Sequence, residues 1–172
     1  MTPGFDAGPP QGESAPVGGS EPGAAGSVGA YERAHKVGET MFAVDTASKH
    51  TMGMELLSVT LGRAVLRMAV KPLHLNGHRI CHGGFIFTLA DSTFAFACNS
   101  HNKNAVAAGC SIEFLKPAYE GDVLTCEGVE QTLQGRHGIY DMKVTNQRGE
   151  VVAMFRGKSA VIPGQVFEEA TP

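Results

Sequence analysis

Hydrophobic positions change their spacing several times along the chain, and each change predicts an element. Between residues 31 and 50, Val37, Met41, Phe42 and Val44 recur at roughly helical spacing, interrupted by Gly38. A short helix over 39–49 is expected, with Gly53 just past its end. Two strand-like runs follow, Met54–Val59 and Arg63–Val70; in the second, Leu66, Met68 and Val70 share a face because strand side chains alternate. Residues 71–84 (KPLHLNGHRICHGG) are rich in turn formers. They lead into an apolar run from Phe85 to Cys98, too long for a typical strand and without a helix breaker, which predicts a buried helix. Period-two alternation then returns. Val106, Ala108, Cys110, Ile112 and Phe114 line one face of a strand over Ala105–Leu115. Val123–Leu133 turns at Gln134-Gly135-Arg136 into Ile139–Thr145, and a turn at Asn146–Glu150 leads to Val151–Val161. Short glycine-bearing connections predict antiparallel hairpins. One antiparallel sheet wrapped on one long central helix accommodates this order, an α+β fold.

Composition then sets the limits. Residues 1–30 are dominated by Gly, Pro, Ser and Ala, with only Phe5 and two valines to bury. Ordering such a segment costs more than it returns. The expected organisation is a flexible tail over 1–30, a folded domain over 31–163 and a flexible C-terminus over 164–172. A net charge of −3 and the lack of any Lys/Arg cluster argue against a nucleic-acid partner. No apolar run reaches the roughly 18 residues that span a bilayer, so no membrane span is expected. The N-terminus lacks the basic-then-apolar pattern of an export signal. Cys81, Cys98, Cys110 and Cys126 form no CxxC pair, so four reduced thiols and a cytoplasmic location are expected.

Candidate chemistry concentrates at residues 76–100. The central helix is apolar on nearly every side, which marks it as buried, yet Asp91 sits in its middle. Its neighbours one turn away are Phe87, Thr88, Phe94 and Ala95, so no local cation pairs with it. A buried, unpaired carboxylate is costly and shifts its pKa upward. Either Asp91 takes hydrogen bonds from a neighbouring strand or from Ser92 and Thr93, or it borders a cavity as base or nucleophile. Ahead of it, His82-Gly83-Gly84 lies at the junction of loop and helix. Glycine lets a backbone N–H approach a ligand, and the helix N-terminus adds partial positive charge. That is what polarising a carbonyl oxygen requires.

The stretch LNGHRICHGGFIFTLADSTFAFACNS resembles the phenylacetic acid degradation (PaaI) family of hot-dog thioesterases. The likeness continues through AVAAGCSIEFLKPAYEGD, GIYDMKVTNQ and VVAMFRGKS, over about residues 31–163. It implies a hot-dog fold and a homotetramer built from two dimers. The implied reaction is hydrolysis, without metal or other cofactor, of aryl-acyl-CoA thioesters such as phenylacetyl-CoA and hydroxyphenylacetyl-CoA in phenylacetate catabolism. Position by position, it makes Asp91 the catalytic carboxylate and Gly83 the N–H donor to the thioester oxygen. Asn76 would orient substrate or water, and His82 would support the loop. Arg156 and Lys158, in the FRGKS stretch, are candidates to meet the CoA phosphates; Lys116 and Arg136 are further candidate cations. Some relatives carry Glu in place of Asp91, and some place a Ser on the strand after the helix. Here that strand reads Ala107-Ala108-Gly109, with no hydroxyl until Ser111.

Geometry adds a constraint of its own. Gly83 and Asp91 are eight residues apart, hence roughly 12 Å along one helix. One thioester carbonyl needs both groups within about 3 Å of the reacting atoms, or slightly more through water. The site is therefore expected to combine Gly83 of one chain with Asp91 of another, in a symmetric dimer with shared active sites. His74, His78 and His82 recur at i, i+4 and i+8 beside Cys81, a zinc-like stripe if helical. Pro72, Gly77 and Gly83-Gly84 break any helix there, so no metal site is expected. Two other functions remain open. A hot-dog dehydratase would want an Asp–His pair, which the central helix does not supply; a non-catalytic acyl-CoA-binding module would hold ligand without turnover.

Overall fold

The apolar run at the centre of the chain folds as a helix, in a computed structural model that describes residues 24–169. This helix, α2, spans Gly83–Asn99. It starts two residues ahead of its apolar pattern because His82 caps it: the ring Nδ1 accepts the Gly84 N–H at 2.9 Å. Around it, β1 (Glu55–Thr60), β2 (Arg63–Ala69), β3 (Ala105–Phe114), β4 (Val123–Gln134), β5 (His137–Thr145) and β6 (Val151–Val161) form one sheet. The strand order is β1-β2-β4-β5-β6-β3 and every pairing is antiparallel. One sheet wrapped on a central helix is the hot-dog arrangement that the resemblance implies.

The helix seats on the sheet through large side chains meeting small ones. Phe94, 1% exposed, lies between Tyr140 and Phe155, with ring centroids 5.5 and 6.0 Å away. A Cβ on Gly157 would stand 2.8 Å from the Phe94 ring, so the glycine of the FRGKS stretch makes room for it. Leu66, Met68 and Val70 are buried on the helix side, as the alternation in that strand predicts. Truncating a ring so placed costs about 3–5 kcal/mol.

Several expectations change. The short helix expected over 39–49 is the end of a longer one, α1, spanning Ala24–Val44, and a π-helical turn follows at Ala47–Thr51. Gly38 reads as an interruption, but a Cβ there would meet Val59 Cγ2 at 2.6 Å; the glycine lets α1 lie tightly on β1. Of the tail expected over 1–30, residues 24–30 belong to α1, while 1–23 and 170–172 lie outside the described residues. Residues 164–169, expected to be a flexible end, are docked instead. The Phe167 N–H donates to Asn102 Oδ1 at 3.1 Å, Lys36 stands 4.2 Å over the Phe167 ring, and Arg33 meets Glu169 at 2.7 Å.

Two departures bear on function. The apolar face expected on β3 is not covered: Val106 is 46% and Phe114 52% exposed, and only Ile112 packs against the core. A bulge between Ala107 and Gly109 breaks the period, and β3 lies at an edge of the sheet. Nor is α2 buried all round. Gly84 is exposed and Phe87, Thr88, Asp91, Ser92 and Ala95 are half-buried, a stripe one helix face wide that the sheet leaves open.

Candidate active site

The loop before α2 is tied down by its own polar groups. Asn76 Oδ1 accepts the His78 N–H at 2.9 Å and the Ile80 N–H at 3.4 Å, around a turn whose tip, Arg79, takes φ 58°. The Cys81 N–H donates to the Ala118 carbonyl at 2.8 Å, and the His82 N–H to the His74 carbonyl at 2.8 Å. These bonds bring the chain into α2 at a set angle. The first amide of the helix, the Gly83 N–H, has no acceptor among the described residues. It is one of the orphan donors of a helix start.

A cavity of about 470 Å³ opens at this end of α2, lined by Asn76, Cys81, Gly83, Ile86, Phe114 and Lys116, among others. The Asn76 carboxamide oxygen is spent on the loop, which leaves its N–H₂ as the group to offer a ligand. Burial pushes the Cys81 thiol up to about 11, so it remains protonated at neutral pH and is no nucleophile. The Lys116 ammonium is held 2.9 Å from Glu150. Of the residues expected at the site, Asn76 and Gly83 are thus brought together, with the capping ring of His82 beside them.

Asp91 is not among the residues lining that cavity; it lies two turns along α2, on the open stripe. It is half-buried rather than buried. Among the partly or fully buried acids that are described, Asp45, Asp122, Glu130, Asp141 and Glu150 each accept a hydrogen bond from a side chain. Asp91 accepts none. Ser92 and Thr93 do not supply one: Ser92 bonds to Ser48, and Thr93 donates to the Leu89 carbonyl. Desolvation without compensation raises its pKa above the ordinary carboxylate value.

Arg156 and Lys158 stand elsewhere. They line a separate cavity of about 570 Å³ with Ala108–Ser111 and Ile139, on the face of the sheet turned away from α2. Arg156 is already engaged in a bidentate pair with Asp141, at 2.6 and 2.7 Å. Among the described residues lining the Gly83 cavity, Lys116 is the cation. Sequence order could not rank Lys116 first, because its position there depends on the segment after β3 pairing with the loop through the Ile80–Tyr119 bridge. The histidines do not converge: His74 is buried and accepts the Lys71 N–H, His78 is exposed, and His82 Nδ1 is committed to the cap.

Comparison with known proteins places the fold in a family. Residues 78–153 match the family model described as the thioesterase superfamily. The chain is 43% identical over 146 residues to the acyl-coenzyme A thioesterase PaaI of Escherichia coli, covering 82% of this chain and 97% of that protein. The solved structure of E. coli PaaI, from the phenylacetic acid degradation operon, superposes with a TM-score of 0.78 at 40% identity, covering 79% of this chain and 98% of that one. A Streptococcus mutans protein solved bound to acetyl CoA, smu.793, gives a TM-score of 0.63 at 28% identity, over 65% of this chain and 90% of its own.

Proposed function

The chain belongs to the PaaI family of acyl-CoA thioesterases within the thioesterase superfamily, and from that footing we propose that it hydrolyses aryl-acyl-CoA thioesters at sites shared between two protomers. Thioester hydrolysis is the family's reaction. The observation that carries this reading in the molecule itself is Asp91: a partly buried carboxylate with no donor among the described residues, its pKa raised, on a helix stripe that the fold leaves open. Such a group is disposed to take a proton or attack a carbonyl rather than to hold structure. A phenylacetyl or hydroxyphenylacetyl thioester is the substrate favoured by the likeness to the E. coli enzyme.

Distance supports a shared site. Gly83 and Asp91 lie at separate places on α2, one in the cavity and one on the stripe. A partner related by a two-fold axis can bring its Asp91 to the first protomer's Gly83 amide. The uncovered edge and apolar side chains of β3 are the kind of surface that such a partner would cover. In the composite site the Gly83 N–H polarises the thioester oxygen, Asn76 orients substrate or water, and the opposite Asp91 acts as base or nucleophile. Candidate cations for the CoA phosphates are Lys158, which has no acidic partner among the described residues, and Lys116 and Arg156, which would have to exchange Glu150 and Asp141 for phosphate; two such dimers make a tetramer.

The direct test is thiol release from phenylacetyl-, hydroxyphenylacetyl-, benzoyl- and straight-chain acyl-CoA. Turnover with the aryl thioesters at the highest kcat/KM is expected. Tight binding of all of them without thiol release would replace the enzyme by a binding module.

A further inference from the structure

Resting on that reading, we infer that Ser92 is a second acceptor for the attacking water, beside Asp91, and that Ser48 and Asp45 hold it in this role. Both oxygens of Asp45 are used by one residue: Oδ1 accepts the Ser48 N–H at 2.9 Å, and Oδ2 accepts the Ser48 hydroxyl at 2.7 Å. Ser48 is 1% exposed and therefore has no water to turn to. Its single hydroxyl proton is thus committed to the carboxylate, which has none to give back. The Ser48 and Ser92 oxygens lie 2.9 Å apart. With the Ser48 proton spent, Ser92 must be the donor in that contact. Its own proton points away from the stripe, towards Ser48, and its remaining lone pairs are left as acceptors.

Ser92 follows Asp91 directly on the open stripe, and their side chains diverge by about 100° around the helix, so the two acceptors flank a space rather than face each other. A hydrolytic water fits such a pair. It can donate one proton to Asp91 and the other to Ser92, which turns its oxygen lone pair towards the thioester carbon. As that oxygen bonds to the carbon, Asp91 takes one proton and passes it to the departing CoA sulfur when the C–S bond breaks. The products are the carboxylic acid and free thiol; Ser92 is unchanged. A hydroxyl free to rotate would at times present a donor to the water instead. The buried relay removes that option before substrate arrives, which is the preorganisation a water-orienting group needs.

The test is a kinetic double-mutant cycle on the full chain with phenylacetyl-CoA. Ser92→Ala is expected to lower kcat about tenfold, the worth of one hydrogen bond, with KM and Tm close to wild type. Ser92→Thr, which keeps the oxygen, is expected to recover most of the rate. Ser48→Ala should lower kcat severalfold in the wild-type background and have no effect in the Ser92→Ala background, because it acts only through Ser92. A structural role would lower Tm and leave the two effects additive. Wild-type kcat in folded Ser92→Ala, or additive effects, would overturn the proposal. If Ser92→Ala does not fold, Ser48→Ala decides alone, and an unchanged kcat refutes the relay. An inactive wild type would overturn both this and the thioesterase reading, whereas an active one with an indifferent Ser92 overturns only this.

Discussion

In the proposed mechanism, Asp91 ties stability and activity to the same ionisation. Because desolvation raises its folded pKa, the ionised form costs folding free energy. The sign runs opposite to that of a paired carboxylate: the cost is absent below the unfolded value of about 3.9, grows as pH rises through the raised folded value and is full above it. Asp91→Asn is therefore expected to raise Tm at neutral pH. No such gain should appear in a melt at pH 3. The same substitution should cut turnover by about 10²–10⁴-fold, the usual worth of a positioned base or nucleophile. In the wild type, the acid limb of the rate profile should be shifted upward from the ordinary carboxylate range, since the proposed active form is the ionised one. A folded Asp91→Asn protein with wild-type turnover would remove Asp91 from the chemistry. Local sequence showed that no cation lies within a turn of Asp91. It could not show that Asp45 and Ser48 reach Ser92 from another part of the chain, because that contact spans 44 positions.

At the scale of elements, the capped start of α2 does the positioning. His82 lends its ring to the Gly84 N–H, so the next amide back, Gly83, is the one left facing the cavity. Replacing His82 by alanine removes the cap and should cost about 1 kcal/mol of stability. It should also lower kcat/KM, because the first turn that presents the Gly83 amide can fray. His82→Asn keeps a side-chain acceptor at the cap and is expected to recover the Tm loss and most of the rate; thermal melts and thiol release on the same samples check both. If His82→Asn restored the melt but none of the rate, the imidazole itself would have a chemical role. Strand periodicity made β2, β4, β5 and β6 legible, since one buried face gives a clean alternation. The pattern misled where a face lacks its partner: β3 alternates in sequence, yet the single chain covers little of it. The first helix was misjudged for the opposite reason, because Gly38 marks close packing on β1 and a glycine in sequence looks the same whether it ends a helix or lets one approach.

At the scale of the molecule, the question is whether Gly83 and Asp91 of different protomers meet, and complementation answers it. One inactive chain carries Asp91→Ala. The other carries Gly83→Pro, which deletes the amide proton proposed to bind the thioester oxygen. The backbone suits this second change: Gly83 is the first residue of α2, where proline is favoured, and His82 before it has φ −63° and ψ 132°, the extended conformation that precedes proline. A new Cβ at position 83 would stand 3.0 Å from the Phe114 ring, but that ring is 52% exposed and can swing aside. Circular dichroism and size exclusion on the Gly83→Pro chain alone establish that it folds and associates. The two chains are then unfolded together in equal amounts and refolded. Each homodimer carries a defect in both sites. In a mixed dimer with sites built across the interface, one site collects both defects and the other neither. Random pairing makes about half of the dimers mixed, so roughly a quarter of all sites should regain full activity. If Asp91 and Gly83 served a carbonyl within one chain, every site would keep one defect and the mixture would stay inactive. Recovery near a quarter of the wild-type rate is the expected result; no recovery, with folding and association verified, would refute the shared site.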